Sequence, residues 1–277
     1  MSEVNTKRTI FFVSDHTGLT AEALGHSLLA RFEQLSFRYE TVPFIDQLEK
    51  ARALVERINQ AALQDGKRPI VFSSITNPDL LDILNHANAR VLDLFKTYLA
   101  ELEVELGQAS SSRVGRYHSI VDLSRYQQRM QAVDFVLATD DGLGLANYQH
   151  ADIILMGVSR AGKTPSCLYL GMQYGIRAAN YPLADDDFEQ LALPKEVAPY
   201  QHKLFGLTID PLRLQQIRQE RKPGSVYASL KQCEYEVRQA ERIFSSKGIR
   251  FLNVTASSIE EITAGIMHMA GLERGGY

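Results

Sequence analysis

Short apolar runs alternate with longer stretches whose apolar residues recur every three or four positions, along almost the whole chain. The short runs have the length of buried strands, and the long stretches have the period of amphipathic helices. Repetition of strand and then helix predicts an α/β architecture on a mainly parallel sheet. "TIFFVS" reads as a buried first strand, followed by "SDHTG" and by "LTAEALGHSLLARF", in which Leu24, Leu28 and Phe32 recur at helical spacing. A second pair is "YETVPF" with "IDQLEKARALVERINQAALQDG", where Leu48, Ala51, Val55, Ile58 and Ala62 share a helix face and Gly66 supplies the stop. "RPIVFSSI" gives a third strand. From Asn77 to Leu106 the pattern is helical, with a break near Asn85 to Ala89.

The most polar and Ser/Gly-rich stretch, "GQASSSRVGRYHS", runs from Gly107 to Ser119 and reads as a connection between domains. This predicts an N-terminal parallel-sheet α/β domain over 1–106, a connection over 107–119 and a phosphate-loop (P-loop), kinase-like α/β domain over 120–277. The second half opens with a helix-like piece. "AVDFVLATDDG" and "ADIILMG" then each read as a buried strand, "KTPSCLYLGMQYG" as a helix and "IRAANYP" as a strand. Further on, "HKLFGLTIDPLRLQQIRQERK" has a strand-like opening, a turn at Asp210-Pro211 and a helix with Arg213, Arg218 and Arg221. "IRFLNVTASSIEEITAGIMHMAGL" reads as strand, serine-capped turn and closing helix, with Ser257 or Ser258 as cap and Glu260 or Glu261 in the first turn.

Between the strand "ADIILMG" and its helix stands "GVSRAGKT", Gly157, Val158, Ser159, Arg160, Ala161, Gly162, Lys163 and Thr164, which fits the pattern G-x-x-x-x-G-K-[ST] in the strand-to-helix context that pattern requires. Its glycines let successive N–H groups converge on an anion, and the following helix adds the partial positive charge of its N-terminus. Lys163 is expected to reach the terminal phosphate oxygens and the Thr164 hydroxyl to be a ligand of bound Mg2+. Pro165 is compatible with a helix's first turn. In "LATDDG", Asp140 and Asp141 stand where an apolar run ends, a place from which carboxylates hold magnesium or take a proton from an attacking hydroxyl. A plain Asp-Asp-Gly turn is the alternative. Arginines on the helix after "GLTID", Arg218 among them, can close over transferring phosphates, or form a solvated face. Ser14, Asp15, His16 and Thr17 can bind an anion or a peptide acceptor, with Ser14 or Asp15 capping the first helix as the alternative.

Composition narrows the classes. The 277 residues suffice for two ordinary domains. With 45% hydrophobic and 23% charged residues and a formal net charge of -3, nothing calls for a nucleic acid or an anionic membrane as partner. No apolar run approaches the roughly 20 residues of a membrane span, and "MSEVNTKRTIFFVSDHTG" is too polar for a signal peptide, so a cytoplasmic location is expected. Cys167 and Cys233 are too few for a disulfide framework, and Cys167 reads as a packed helix residue.

"GVSRAGKTPSCLYL", "GIRAANYPL", "HKLFGLTIDPLRL", "IRQER", "YASLKQC" and "SIEEI", with "SDHTGLTAEALGHSLL" and "DFVLATDDG", give the chain a further identity. Over residues 8 to 273 it resembles the bacterial phosphoenolpyruvate synthase regulatory proteins, relatives of the pyruvate, phosphate dikinase regulatory proteins. Gly162, "GIRAANYPL" and "QHKLFGLTIDP" lean to the synthase branch. The resemblance implies a bifunctional enzyme that uses ADP to phosphorylate and inactivate a threonine of the synthase, and that reverses this with phosphate, releasing pyrophosphate. The residues read above are compatible with this, with Lys163, Asp140, Asp141 and Arg218 as catalytic candidates. A homodimer is the expectation for a regulator that docks on a dimeric enzyme. Read without the resemblance, the residues leave ADP and ATP open, and with them an ATP-dependent metabolite kinase or a nonenzymatic nucleotide-sensing inhibitor.

Overall fold

The computed structural model of the chain describes residues 7–110, 123–190 and 192–273. The chain divides into two compact units, Met1–Ser119 and Ile120–Tyr277. The connection expected at 107–119 lies, from residue 111 on, outside the described residues. Each unit is an α/β layer structure on a four-stranded sheet whose pairings are all parallel. Among the described residues no helix is long and apolar enough to cross a membrane.

The first unit runs β1 (Arg8–Val13), α1 (Leu19–Leu29), β2 (Phe37–Val42), α2 (Leu48–Asp65), β3 (Ile70–Ser73), α3 (Pro78–Asn85), β4 (Arg90–Asp93) and α4 (Leu94–Leu106), with sheet order β2-β1-β3-β4. Side chains of a strand alternate between faces. Phe11 and Val13 accordingly join the core under α2 and α3, while Ile10 and Phe12 join the one with Ala21 and Leu29 of α1. Two expectations change here. The break after α3 contains a fourth, half-buried strand, β4, whose four residues are too few for a legible alternation. And α1 buries Ala21, Gly25 and Leu29 rather than Leu24, Leu28 and Phe32. Gly25 lies so close to the sheet that a Cβ would stand 2.3 Å from the Phe12 ring, which turns the small-residue face inward and leaves Leu28 and Phe32 exposed.

The second unit runs α5 (Leu123–Ala138), β5 (Ile153–Gly157), α6 (Lys163–Tyr174), β6 (Ala178–Pro182), α7 (Asp185–Gln190), β7 (Leu204–Thr208), α8 (Pro211–Arg221), α9 (Leu230–Ser246), β8 (Phe251–Asn253) and α10 (Ile259–Ala270), with sheet order β6-β5-β7-β8. "AVDFVLATDDG" is not a strand. It is the end of helix α5 and a short 3-10 turn, Asp140–Gly142. Ala132, Val136 and Thr139 are buried at spacings of four and three, the helical period inside an apolar run. Caps match the sequence elsewhere: Asp210 accepts from the N–H groups of Leu212 and Arg213, with Pro211 in the first turn of α8, and Ser258 forms a reciprocal capping box with Glu261. One continuous core joins β5, β6 and β7 to the helices, and Cys167 is fully buried within it. The chain leaves β5 for β6 on one side and returns to β7 on the other. In a parallel sheet, a ligand crevice opens at the carboxyl end of such a central strand.

Candidate active site

The loop at that crevice joins β5 to α6. Gly157 closes the strand, and a Cβ there would lie 2.4 Å from the Leu207 carbonyl oxygen of β7, so only glycine lets the loop leave the sheet at this point. Arg160 and Gly162 both have φ of 78°, a left-handed turn that folds the backbone over the start of α6. Gly162 is the N-cap of α6, and no side chain caps it. The first turn of that helix therefore directs N–H groups and a partial positive charge toward the loop.

Lys163 is buried under the loop, its Nζ donating to the Val158 carbonyl oxygen at 2.9 Å. Burial pushes its ammonium pKa down to about 8, against the opposing pull of Asp141 and Asp140. Beside it, the Thr164 hydroxyl donates to Asp140 Oδ1 at 2.8 Å. Asn180 of β6 completes the cluster, its Nδ2 lying 2.6 Å from Asp140 Oδ1, 3.0 Å from Thr164 Oγ1 and 3.4 Å from Asp141 Oδ1. Asp141 has a left-handed backbone, φ 49°, which Asp and Asn tolerate better than most residues. Asp140 and Asp141 thus stand after a helix, not a strand, and reach the loop because their turn packs beside β6.

Loop and turn line a cavity of about 700 Å³ with Asp140, Asp141, Lys163 and Thr164 on its wall, together with Ser159, Arg160, Arg221, Lys222 and Tyr227. The oxygens of Asp140, Asp141 and Thr164 are the type a hard divalent cation takes, although among the described residues no group of three or more His, Cys, Asp or Glu is placed to hold a metal ion.

Arg218 differs from its expected place. It is fully buried, not free to close over a ligand: Nη1 and Nη2 bind the Glu236 carboxylate at 3.0 and 2.6 Å, Nη2 also donates to the Ser159 carbonyl oxygen at 3.1 Å, and Nη1 to that of Tyr227 at 3.0 Å. Its guanidinium carbon stacks 4.0 Å from the Tyr227 ring centroid. It braces the loop from behind, and the exposed Arg221 takes the place at the cavity. Tyr227 adds a contact of 3.0 Å between its hydroxyl and that of Ser159.

The Ser14 to Gly18 segment belongs to the other unit. There Asp15 Oδ2 accepts from the N–H and hydroxyl of Thr76 at 2.8 and 2.7 Å, and Asp15 Oδ1 lies 3.1 Å from His16 Nδ1. Burial works against the charged form of Asp15, but these donors outweigh it and its pKa falls. The N-cap of α1 is Gly18, without a side-chain cap, so the capping reading does not hold.

The sequence reading missed Asn180, Tyr227 and Glu236. For Asn180 one signal was present: asparagine is disfavoured in strands, and here it sits inside the buried strand "AANYP".

The family model described as kinase/pyrophosphorylase matches residues 10–267. A protein of Stutzerimonas stutzeri (strain A1501) is 55% identical over 97% of this chain and 98% of its own length. One of Pseudomonas aeruginosa (strain LESB58) shows the same identity and coverage. Both carry the provisional name phosphoenolpyruvate synthase regulatory protein. These similarities bear out the resemblance carried by the motifs.

Proposed function

The chain belongs to the kinase/pyrophosphorylase family, and from that membership we propose that it is a bifunctional threonine kinase and pyrophosphorylase acting on phosphoenolpyruvate synthase. The family supports phosphotransferase chemistry, and the relatives' name supports the synthase as protein substrate. In the inactivating direction the β-phosphoryl group of ADP passes to a threonine hydroxyl of the synthase, whose proton leaves to a carboxylate, and AMP departs. In the activating direction inorganic phosphate attacks the phosphothreonine, the threonine oxygen regains its proton and pyrophosphate is released.

The observation that carries this reading is the convergence of Lys163, Thr164, Asp140 and Asp141 on one cavity at the carboxyl end of β5. Phosphoryl transfer demands positioning and charge neutralisation more than covalent help. The Gly157 to Thr164 loop acts as a P-loop for the nucleotide, Lys163 pairs with a phosphoryl oxygen, and Asp141, the more exposed carboxylate, orients the acceptor hydroxyl. Arg160, Arg221 and Lys222 supply further positive charge, enough for one site to hold ADP in one direction and phosphate in the other.

The residues also fit Mg2+. On the cavity wall Thr164 and Asp140 set a hydroxyl and a carboxylate within 2.8 Å of each other, oxygen donors of the class a hard cation such as magnesium takes. Thr164 with Asp140 or Asp141 would hold the ion, which when bound neutralises phosphate charge.

The test is to incubate the protein and the synthase with Mg2+ and either ADP or ATP, the synthase both free and carrying its catalytic phosphoryl group, and to map phosphate by mass spectrometry. Phosphothreonine formed with ADP and removed by phosphate, with pyrophosphate released, supports the proposal. Binding of ADP without modification in any state of the synthase refutes it in favour of a nonenzymatic nucleotide sensor.

A further inference from the structure

We propose that Asn180 is a positioning residue of the transfer site: its amide fixes Asp140 and the Thr164 hydroxyl in the arrangement that receives a divalent cation. The inference rests on the metal-dependent phosphotransfer reading given above.

Asn180 is buried, 1% exposed, and its amide orientation follows from its neighbours. Carboxylate oxygens only accept hydrogen bonds, so the NH2 end must face Asp140 and Asp141 and the carbonyl end must point away. Nδ2, Asp140 Oδ1 and Thr164 Oγ1 form a closed triangle with sides of 2.6, 3.0 and 2.8 Å, so the amide holds both oxygens from one side. The Thr164 hydroxyl gives its own proton to Asp140 at 2.8 Å. That hydroxyl oxygen has two lone pairs, one of which now accepts from Asn180. The other remains uncommitted in a fixed direction, which is what a metal ligand requires. Without the amide, only the hydroxyl's own donation to Asp140 would hold it, and Asp140 Oδ1 would lose its Asn180 donor.

The backbone of Asn180 is tied to the same place. Its N–H donates to the Thr139 carbonyl oxygen at 3.4 Å, immediately before the two aspartates, and its carbonyl oxygen accepts from the hydroxyl of the fully buried Tyr148 at 2.8 Å. Asn180 therefore joins β6 to the aspartate turn through both backbone and side chain.

Stability does not account for an asparagine at this position. Its Oδ1 is buried without a hydrogen-bond partner among the described residues, a penalty that an apolar residue of similar volume would avoid. Asparagine is also a poor strand former. What it supplies, and leucine does not, is an amide donor group facing two prospective cation ligands. Residues that orient metal ligands from behind commonly change metal affinity when they are replaced.

The experiment uses the full chain and Asn180→Leu, each titrated with Mn2+ in the presence of ADP by electron paramagnetic resonance, and with ADP alone in EDTA by calorimetry. The half-saturating Mn2+ concentration of Asn180→Leu should rise on the order of ten-fold or more, with metal-free ADP affinity and melting temperature preserved. Unchanged Mn2+ affinity overturns the assignment, and so does a parallel loss of metal-free ADP affinity, which would signal a merely structural role. If the unaltered protein binds ADP and transfers phosphate equally well in EDTA, the metal-dependent reading itself falls and this inference with it. Should Asn180→Leu fail to fold, Asn180→Ala, which adds no atoms to the core, enters the same titrations with the same decisive outcomes.

Discussion

In the proposed site, Lys163 would couple protonation to ligand binding. Burial disfavours its ammonium form and lowers its pKa to about 8. A phosphate placed on the loop favours the ammonium form and raises that pKa, so binding between pH 8 and 10 should take up a proton. The phosphates of ADP are already deprotonated there and do not contribute. The enthalpy of ADP binding at pH 8.5 should thus depend on the ionisation enthalpy of the buffer, and Lys163→Met should remove the dependence; a buffer-independent enthalpy in the unaltered protein would place Lys163 away from the phosphates. In Asp141→Asn the left-handed backbone is tolerated and only the charge is lost. Single-turnover transfer should slow by roughly 10²–10⁴-fold if this carboxylate takes the hydroxyl proton, with ADP affinity little changed. An unchanged rate would leave Asp141 a turn former. Lys163 and Thr164 were legible in the sequence because one local pattern fixes both. Asn180 was not, because its partners lie 16, 39 and 40 residues away and meet it only through the packing of β6 beside the aspartate turn.

Helices α8 and α9 are joined at the loop by a buried ion pair. Removing one member of such a pair strands the other charge, whereas replacing both by apolar residues is often tolerated. Arg218→Met should cost about 3–5 kcal/mol in denaturant unfolding, and Arg218→Met with Glu236→Leu should recover most of that loss. The double variant still lacks the donor to the Ser159 carbonyl oxygen, so its half-saturating ADP concentration should stay raised although its stability returns. Recovery of both would mean that Arg218 serves the fold alone. The sequence showed the helix that carries Arg218 but not its inward direction, since arginine is seldom fully buried without a partner and the partner, Glu236, comes from the next helix. The end of α5 was misread for a related reason: an apolar run of strand length is also one face of a buried helix, and its burial at spacings of four and three shows only once it is packed. Strand β4 escaped because its pairing with β3 holds together residues that carry too little pattern of their own.

Three buried clusters divide the described sequence cleanly between the two units. The buried clusters around β1 and β3 draw on residues 10 to 94, and the one around β5 and β7 on residues 135 to 272. In the sequence each half repeats strand and helix, and the polar stretch at 107–119 interrupts the repetition. The residues lining the proposed nucleotide cavity lie between Asp140 and Tyr227, within the second unit. A unit with its own core can fold by itself. The fragment 120–277 should therefore unfold in one cooperative transition and bind ADP with an affinity within about three-fold of the full chain, since every residue lining the cavity comes from the second unit. Calorimetric titration of ADP into fragment and full chain checks this. A fragment that unfolds cooperatively but no longer binds ADP would show that residues of the first unit belong to the nucleotide site. A fragment that binds ADP yet transfers nothing to the synthase would assign to the first unit a part in engaging the protein substrate, and equal transfer by both would confine the whole reaction to the second.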